Sequence, residues 1–195
     1  MGKLISLINT TTDGFCNSEY VNADAEFHGF VQGLLDNTQT VFFGGNSFQL
    51  FQGIWPPILE NGNKHQSQID MARTLNDKDK VAFSTTLKTT TWNNSTIVRT
   101  IDVDHINAFK KNSERDILSI GSPGLVAALT QLDLVDEYYF SIQPLIAGKG
   151  NVRLFDKITL DGRKPLTFQA AHPLKTGVVI LHYVYTTASS LPVGR

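Results

Sequence analysis

Short apolar runs alternate with amphipathic helical stretches over the first two thirds of the chain, and that alternation leaves few folds open. Lys3 to Thr10, Gln39 to Phe43, Lys80 to Ser84, Ser95 to Thr100 and Asp116 to Ile120 read as strands. Between them, Ala23 to Leu35 carries Phe27, Phe30, Val31, Leu34 and Leu35 at near-helical spacing, with Asn22 or Asp24 as its cap. Asp102 to Lys111 reads as a helix burying Val103, Ile106 and Phe109, and Leu125 to Leu132 as another. Ser47 to Gln52 predicts a short helix, stopped sharply by Trp55-Pro56-Pro57. A solvated loop over Glu60 to Gln68 and a short helix over Ile69 to Leu75 follow. Alternation of this kind builds a parallel sheet covered by helices.

The last third changes character. Asp136 to Ile146, Asn151 to Phe155, Leu166 to Ala171 and Val178 to Tyr185 read as strands with no helix between them, so they join antiparallel. The expectation is one α/β domain over residues 1–195, with a mixed, mostly parallel sheet, antiparallel C-terminal strands and helices on both faces.

Charge and hydropathy remove several function classes. A net charge of −1, with Lys110-Lys111 as the densest cationic pair, gives no field for nucleic acid or an anionic membrane. No apolar run approaches the ~20 residues of a membrane span. Met1 to Ser6 fits a myristoylation pattern but reads as the entry to the first strand. The single cysteine, Cys16, has no internal disulfide partner, and the cytoplasm is the expected compartment. Asp102-Val103-Asp104-His105 reads as a helix start, and His65, His172 and His182 lack ligand spacing, so no metal is expected.

In an open α/β sheet, ligands collect at the carboxyl ends of the parallel strands. Three such ends stand out. Gly44-Gly45-Asn46-Ser47 leaves the second strand into a helix, and Gly121-Ser122-Pro123-Gly124-Leu125 does the same after the fifth. The third ends in Ser84-Thr85-Thr86-Leu87. Glycine lets backbone N–H groups approach a phosphate, a helix N-terminus adds favourable partial charge, and hydroxyls supply neutral donors. Neither the Rossmann Gly-x-Gly-x-x-Gly pattern nor a P-loop is present.

These pieces, in their order, resemble the dihydrofolate reductase-like superfamily, and within it the C-terminal reductase domain of the bifunctional riboflavin-biosynthesis enzyme. Asn9 to Phe15 is similar to that family's Asn-x-Ser-Leu-Asp-Gly-Phe opening. Gly44 to Phe51 with Trp55-Pro56, Val81 to Leu87, and Gly121-Ser122 with Leu125 follow its next motifs. Leu134-Val135-Asp136-Glu137, Pro144, Gly148, Gly150, Leu154-Phe155 and the Gly177 to Tyr183 ending complete the match. The resemblance implies a dihydrofolate reductase-like three-layer sandwich and hydride transfer from NADPH to a small unsaturated substrate. The pyrophosphate would meet Gly121 to Leu125, and Gly44 to Ser47 with Ser84 to Leu87 would hold the adenosine side.

Two departures bear on the cofactor. The family's arginine after the first glycine is Gly45 here, and its arginine after the third-strand serine is Thr85. Both normally face the 2′-phosphate, so NADH is possible too unless Lys88, Arg73 or another cation substitutes. The acidic substrate motif of the riboflavin-pathway reductases is replaced by Phe48 to Gln52 with Trp55-Pro56-Pro57, and the first loop lacks the Pro-Trp pair of true dihydrofolate reductases. Candidate proton donors are Asp13, Glu26 and His28; Glu26 and His28, two apart, point to different helix faces. Phe15, Phe48, Trp55, Pro144 and Leu145 are expected as apolar substrate walls, and the late strands suggest a homodimer.

Overall fold

The computed structural model describes residues 1–62, 64–160 and 162–186. In chain order it runs β1 (Leu4–Thr11), α1 (Ala25–Asp36), β2 (Thr38–Gly44), α2 (Gly45–Asn61), α3 (Gln66–Asp77), β3 (Asp79–Phe83) and β4 (Ser95–Val98). It continues with α4 (Val103–Asn112), β5 (Asp116–Ile120), α5 (Pro123–Gln131), β6 (Glu137–Gln143), β7 (Leu166–Pro173) and β8 (Val179–Tyr185). The strands form one sheet in the order β4-β3-β2-β5-β1-β6-β8-β7. Strands β1 to β6 pair in parallel, β8 runs antiparallel to β6, and β7 antiparallel to β8. The expected mixed sheet is therefore the observed one, and β5 returning between β1 and β2 creates a topological switch.

Side chains alternate across the strands, so Phe42 and Phe43 enter different cores. One face buries Phe43 with Phe27, Val31 and Leu35 of α1, Phe48, Trp55 and Ile58 of α2, and Met71 and Leu75 of α3. The other buries Phe42 with Ile106 of α4 and Leu125, Val126 and Leu129 of α5.

Four sequence expectations need correction. Helix α2 does not stop at Trp55; it contains Pro56 and Pro57 and runs to Asn61. The prolines remove two backbone donors, but burial of Trp55 on one side and Ile58 on the other holds the turn that contains them. The helix ends where Gly62 adopts φ 62° and donates its N–H to Ile58 O. The predicted loop over residues 60–68 thus shrinks, and α3 starts at Gln66 with His65 as its cap. Asn151 to Phe155 is no strand; its pairing is a single bridge between Arg153 and Phe15. Val103 is exposed at the start of α4, where Lys110 is buried alongside Ile106 instead. Of the two proposed caps for α1, Asp24 fills the role, accepting from Phe27 N.

Candidate active site

Two helices begin side by side at the carboxyl ends of β2 and β5. Gly44 caps α2 and Ser122 caps α5, and neither supplies a side-chain acceptor to its own helix. Helices α1, α3 and α4 are capped by Asp24, His65 and Asp102. Ser122 Oγ is turned across to accept Gly44 N at 2.9 Å, and Ser122 N donates to Ser47 Oγ at 3.1 Å. The two turns are stitched together, leaving first-turn N–H groups of both helices free for an anion. Gly121 and Ser122 are both left-handed, at φ 61° and 58°. For serine this costs about 1 kcal/mol or more, offset by its two cross-turn hydrogen bonds.

The third turn joins the same cluster. Ser84 Oγ accepts from Leu87 N at 3.0 Å and Thr86 N at 3.3 Å, and a Cβ at Gly45 would lie 2.6 Å from that Oγ. Glycine at 45 is therefore required by close packing of α2 on the Ser84 turn. Asn46, Thr85, Thr86 and Gly124 are exposed at this edge, whereas the Leu125 side chain is core and offers only its backbone. Sequence reasoning missed Arg99. It lies just past β4, and its NH1 donates to Ser84 O at 2.9 Å and to Leu87 O. An apolar cavity of about 160 Å³ opens beside this turn, beneath α4, lined by Phe42, Val81, Phe83, Val98, Ile106 and Phe109.

The proton-donor candidates separate cleanly. Asp13 accepts from Thr11 Oγ1 at 2.6 Å, Ala147 N at 3.0 Å and Gly148 N at 2.8 Å. These bonds, the Thr11 hydroxyl first, hold its carboxyl down at about 2, so it carries no proton near neutrality. Glu26 accepts Lys175 N at 2.9 Å in the turn between β7 and β8. His28 is buried and meets Trp55 edge-on at 5.9 Å between ring centroids, bridging α1 to α2. Burial pushes its imidazole below the ordinary value, so it is neutral at physiological pH. Trp55 Nε1 beside it is buried with no acceptor among the described residues.

The substrate-wall residues do not converge. Phe48 is wholly buried between Phe43 and Trp92 and has no surface to offer, because α2 turns it toward β3 and β4. Pro144 is exposed and faces the turn at Gly177, and Leu145 O is taken by Thr12. Phe15 packs against Gly150 and under the Arg153 guanidinium, 5.1 Å from the ring. Trp55 is itself core, packed against His28 of α1 and Phe51 of its own helix. A second group missed in the sequence is Gln143, fully buried, which donates to Asn9 Oδ1 and Ser141 Oγ and accepts from Asn22 N. Cys16 is half-buried, and that burial raises its thiol pKa, which argues against a reactive thiolate. Among the described residues no three His, Cys, Asp or Glu side chains cluster as metal ligands. No helix among them is long and apolar enough to cross a membrane.

The sheet order, the switch at β5 and the stitched turns define the chain as a dihydrofolate reductase-like α/β protein. The sequence profile of the RibD C-terminal domain family matches residues 22–180, and the chain belongs to that family. A Bacillus subtilis (strain 168) relative, the uncharacterized protein YyaP, is 25% identical over 160 residues, covering 79% of this chain and 81% of its own. A pyrimidine reductase-like protein from Corynebacterium diphtheriae superposes with a TM-score of 0.64 at 12% identity, covering 95% of this chain and 92% of that one. Dihydrofolate reductase from Enterococcus faecalis, complexed with NADP(H) and RAB-propyl, gives 0.58 at 11% identity, covering 94% and 96%.

Proposed function

We propose that the protein is an NAD(P)H-dependent reductase of a small, planar heterocyclic or carbonyl substrate. The observation that carries this reading is the pair of uncapped helix N-termini joined through Ser122, a fixed set of backbone donors suited to a pyrophosphate. The residues present fit a dinucleotide: Gly121 to Leu125 and Gly44 to Ser47 for the phosphates, Ser84 to Leu87 for the ribose side. The apolar cavity beneath α4, opening at Phe83 and Val98, suits a purine ring. When bound, such a cofactor supplies a hydride. Trp55 and His28 are buried in contact between α1 and α2, so a substrate bound there would have to part the two helices to reach Trp55 Nε1. Membership of the RibD C-terminal domain family supports this reading, as does the fold shared with a pyrimidine reductase-like protein and a dihydrofolate reductase.

A titration of NADPH and NADH, followed by cofactor fluorescence, tests the reading. Saturable binding with consumption against a panel of pterins, pyrimidines and ketones is the expected result; no binding of either cofactor at millimolar concentration sinks it. A second reading is a non-catalytic, nucleotide-binding descendant of the fold. It is favoured by the Asp13 and Glu26 carboxyls both being engaged by backbone amides. Binding without turnover on any substrate identifies it. We also propose a homodimer working in the cytoplasm. Edge strand β7 exposes Leu166 and Phe168, the latter 55% accessible, and a second copy would cover them. A solution mass of one chain rules the dimer out.

A further inference from the structure

We propose that Arg99 is the cation that distinguishes NADPH from NADH in this protein, replacing the two arginines whose places are held by Gly45 and Thr85. The proposal rests on the reductase reading and sharpens its cofactor. A side chain at 45 is crowded: a methyl there would meet Ser84 Oγ at 2.6 Å and Ser84 Cβ at 2.9 Å, so the Ser84 side chain would have to shift. Arg99 fastens the outer side of the same turn, through Ser84 O and Leu87 O.

Its guanidinium is fixed at one nitrogen only. Nε and NH2 make no hydrogen bond, and no carboxylate lies within ion-pair distance, among the described residues. The side chain is exposed, as are Thr85 and Thr86 in the turn it bonds. A guanidinium held at one edge presents the other already oriented, which suits a phosphate dianion and loses little entropy on binding it. The competing cations are less suited. Arg73 faces Asp70 at 3.6 Å, Lys80 is buried under Trp92, and Lys88 has no bond that positions it.

The test compares NADPH with NADH, and 2′,5′-ADP with 5′-AMP, by calorimetry on the wild-type chain, Arg99→Gln, Arg99→Lys and Lys88→Gln. Each pair of ligands differs by the 2′-phosphate alone. Wild type is expected to favour the 2′-phosphorylated member, more so at low salt. Arg99→Gln should weaken NADPH and 2′,5′-ADP about tenfold or more while leaving NADH and 5′-AMP within about twofold. Arg99→Lys should recover part of the difference, and Lys88→Gln should change nothing. A wild-type chain with no preference, or an Arg99→Gln chain that keeps it, overturns the assignment and leaves the reductase reading standing. Equal weakening of all four ligands also overturns it, because Arg99 then only clamps the turn. Failure of all four to bind wild type overturns the cofactor reading itself.

Discussion

At the amino ends of the strands, Lys3 and His182 share the Glu137 carboxylate, Lys110 holds Asp136, and Lys80 donates to three carbonyls. At the carboxyl ends, two helices start without a side-chain cap, Ser122 sits at positive φ, and the Arg99 guanidinium has an open edge. The same sheet therefore saturates its polar groups at one end and leaves donors unspent at the other. A folded domain gains stability from the first arrangement and forgoes it in the second, which is the usual mark of a binding edge. The two ends should answer differently to mutation, stability at one and affinity at the other.

The largest expected effect is at the amino end. Lys80 is almost wholly buried, with Nζ 2.8 Å from Leu75 O, 3.1 Å from Asn76 O and 2.6 Å from Lys78 O, and 4.8 Å from the centre of the Trp92 ring. It closes the C-terminus of α3 with positive charge where the helix dipole is negative. Lys80→Met keeps the length and removes the donors, stranding carbonyls at a cost of about 3 kcal/mol. The melting temperature should fall by roughly 6–12 °C in calorimetry. NADPH affinity should not move. A parallel loss of affinity would show that the two ends are one cooperative unit and break the comparison.

A smaller, opposite pattern is expected from Gly45→Ala. The new methyl must displace Ser84 Cβ and Oγ, and with them the bonds to Thr86 N and Leu87 N. Overpacking of this kind costs about 1–2 kcal/mol, shared between folding and binding. NADPH and NADH should both weaken several-fold, with the melting temperature down by only a few degrees. Unchanged affinity for both would remove the Ser84 turn from the cofactor edge.

This contrast was only half visible in the amino-acid sequence. The strand ends were legible because Gly44-Gly45, Gly121-Ser122 and the Ser84 hydroxyl run mark turns by local chemistry, whatever surrounds them. The mixed sheet was legible because helical stretches vanish after Leu132. The length of α2 was not, since Pro56-Pro57 is a local stop signal that burial of Trp55 and Ile58 overrides. Arg99 was hidden near the end of what read as a strand; its role depends on β3 and β4 being parallel neighbours, a fact carried by no nearby residue. Glu26 and His28 could be assigned to different faces by spacing. Which face turns inward was set by where α2 packs, and that is tertiary information.

The smallest expected effect concerns Asp13, a carboxyl-end residue that behaves like the amino end. Its two oxygens tie β1 to the segment holding Ala147 and Gly148, and its folded value of about 2 lies below the ordinary 3.8. A carboxyl depressed on folding stabilises fully above its unfolded value and loses that contribution as pH falls through the folded one. The window is therefore pH 4 down to 2. The amide proton shifts of Ala147 and Gly148 should titrate together with a midpoint near 2, and Asp13→Asn should abolish the step. A midpoint near 4 would mean that the carboxylate is not held by these amides, and would restore Asp13 as a candidate acid. With the low midpoint, Asp13 stays ionised through any pH at which a reductase works. The proton then has to come from water or from another group, because the buried His28 is already neutral at physiological pH and carries no imidazolium proton to give.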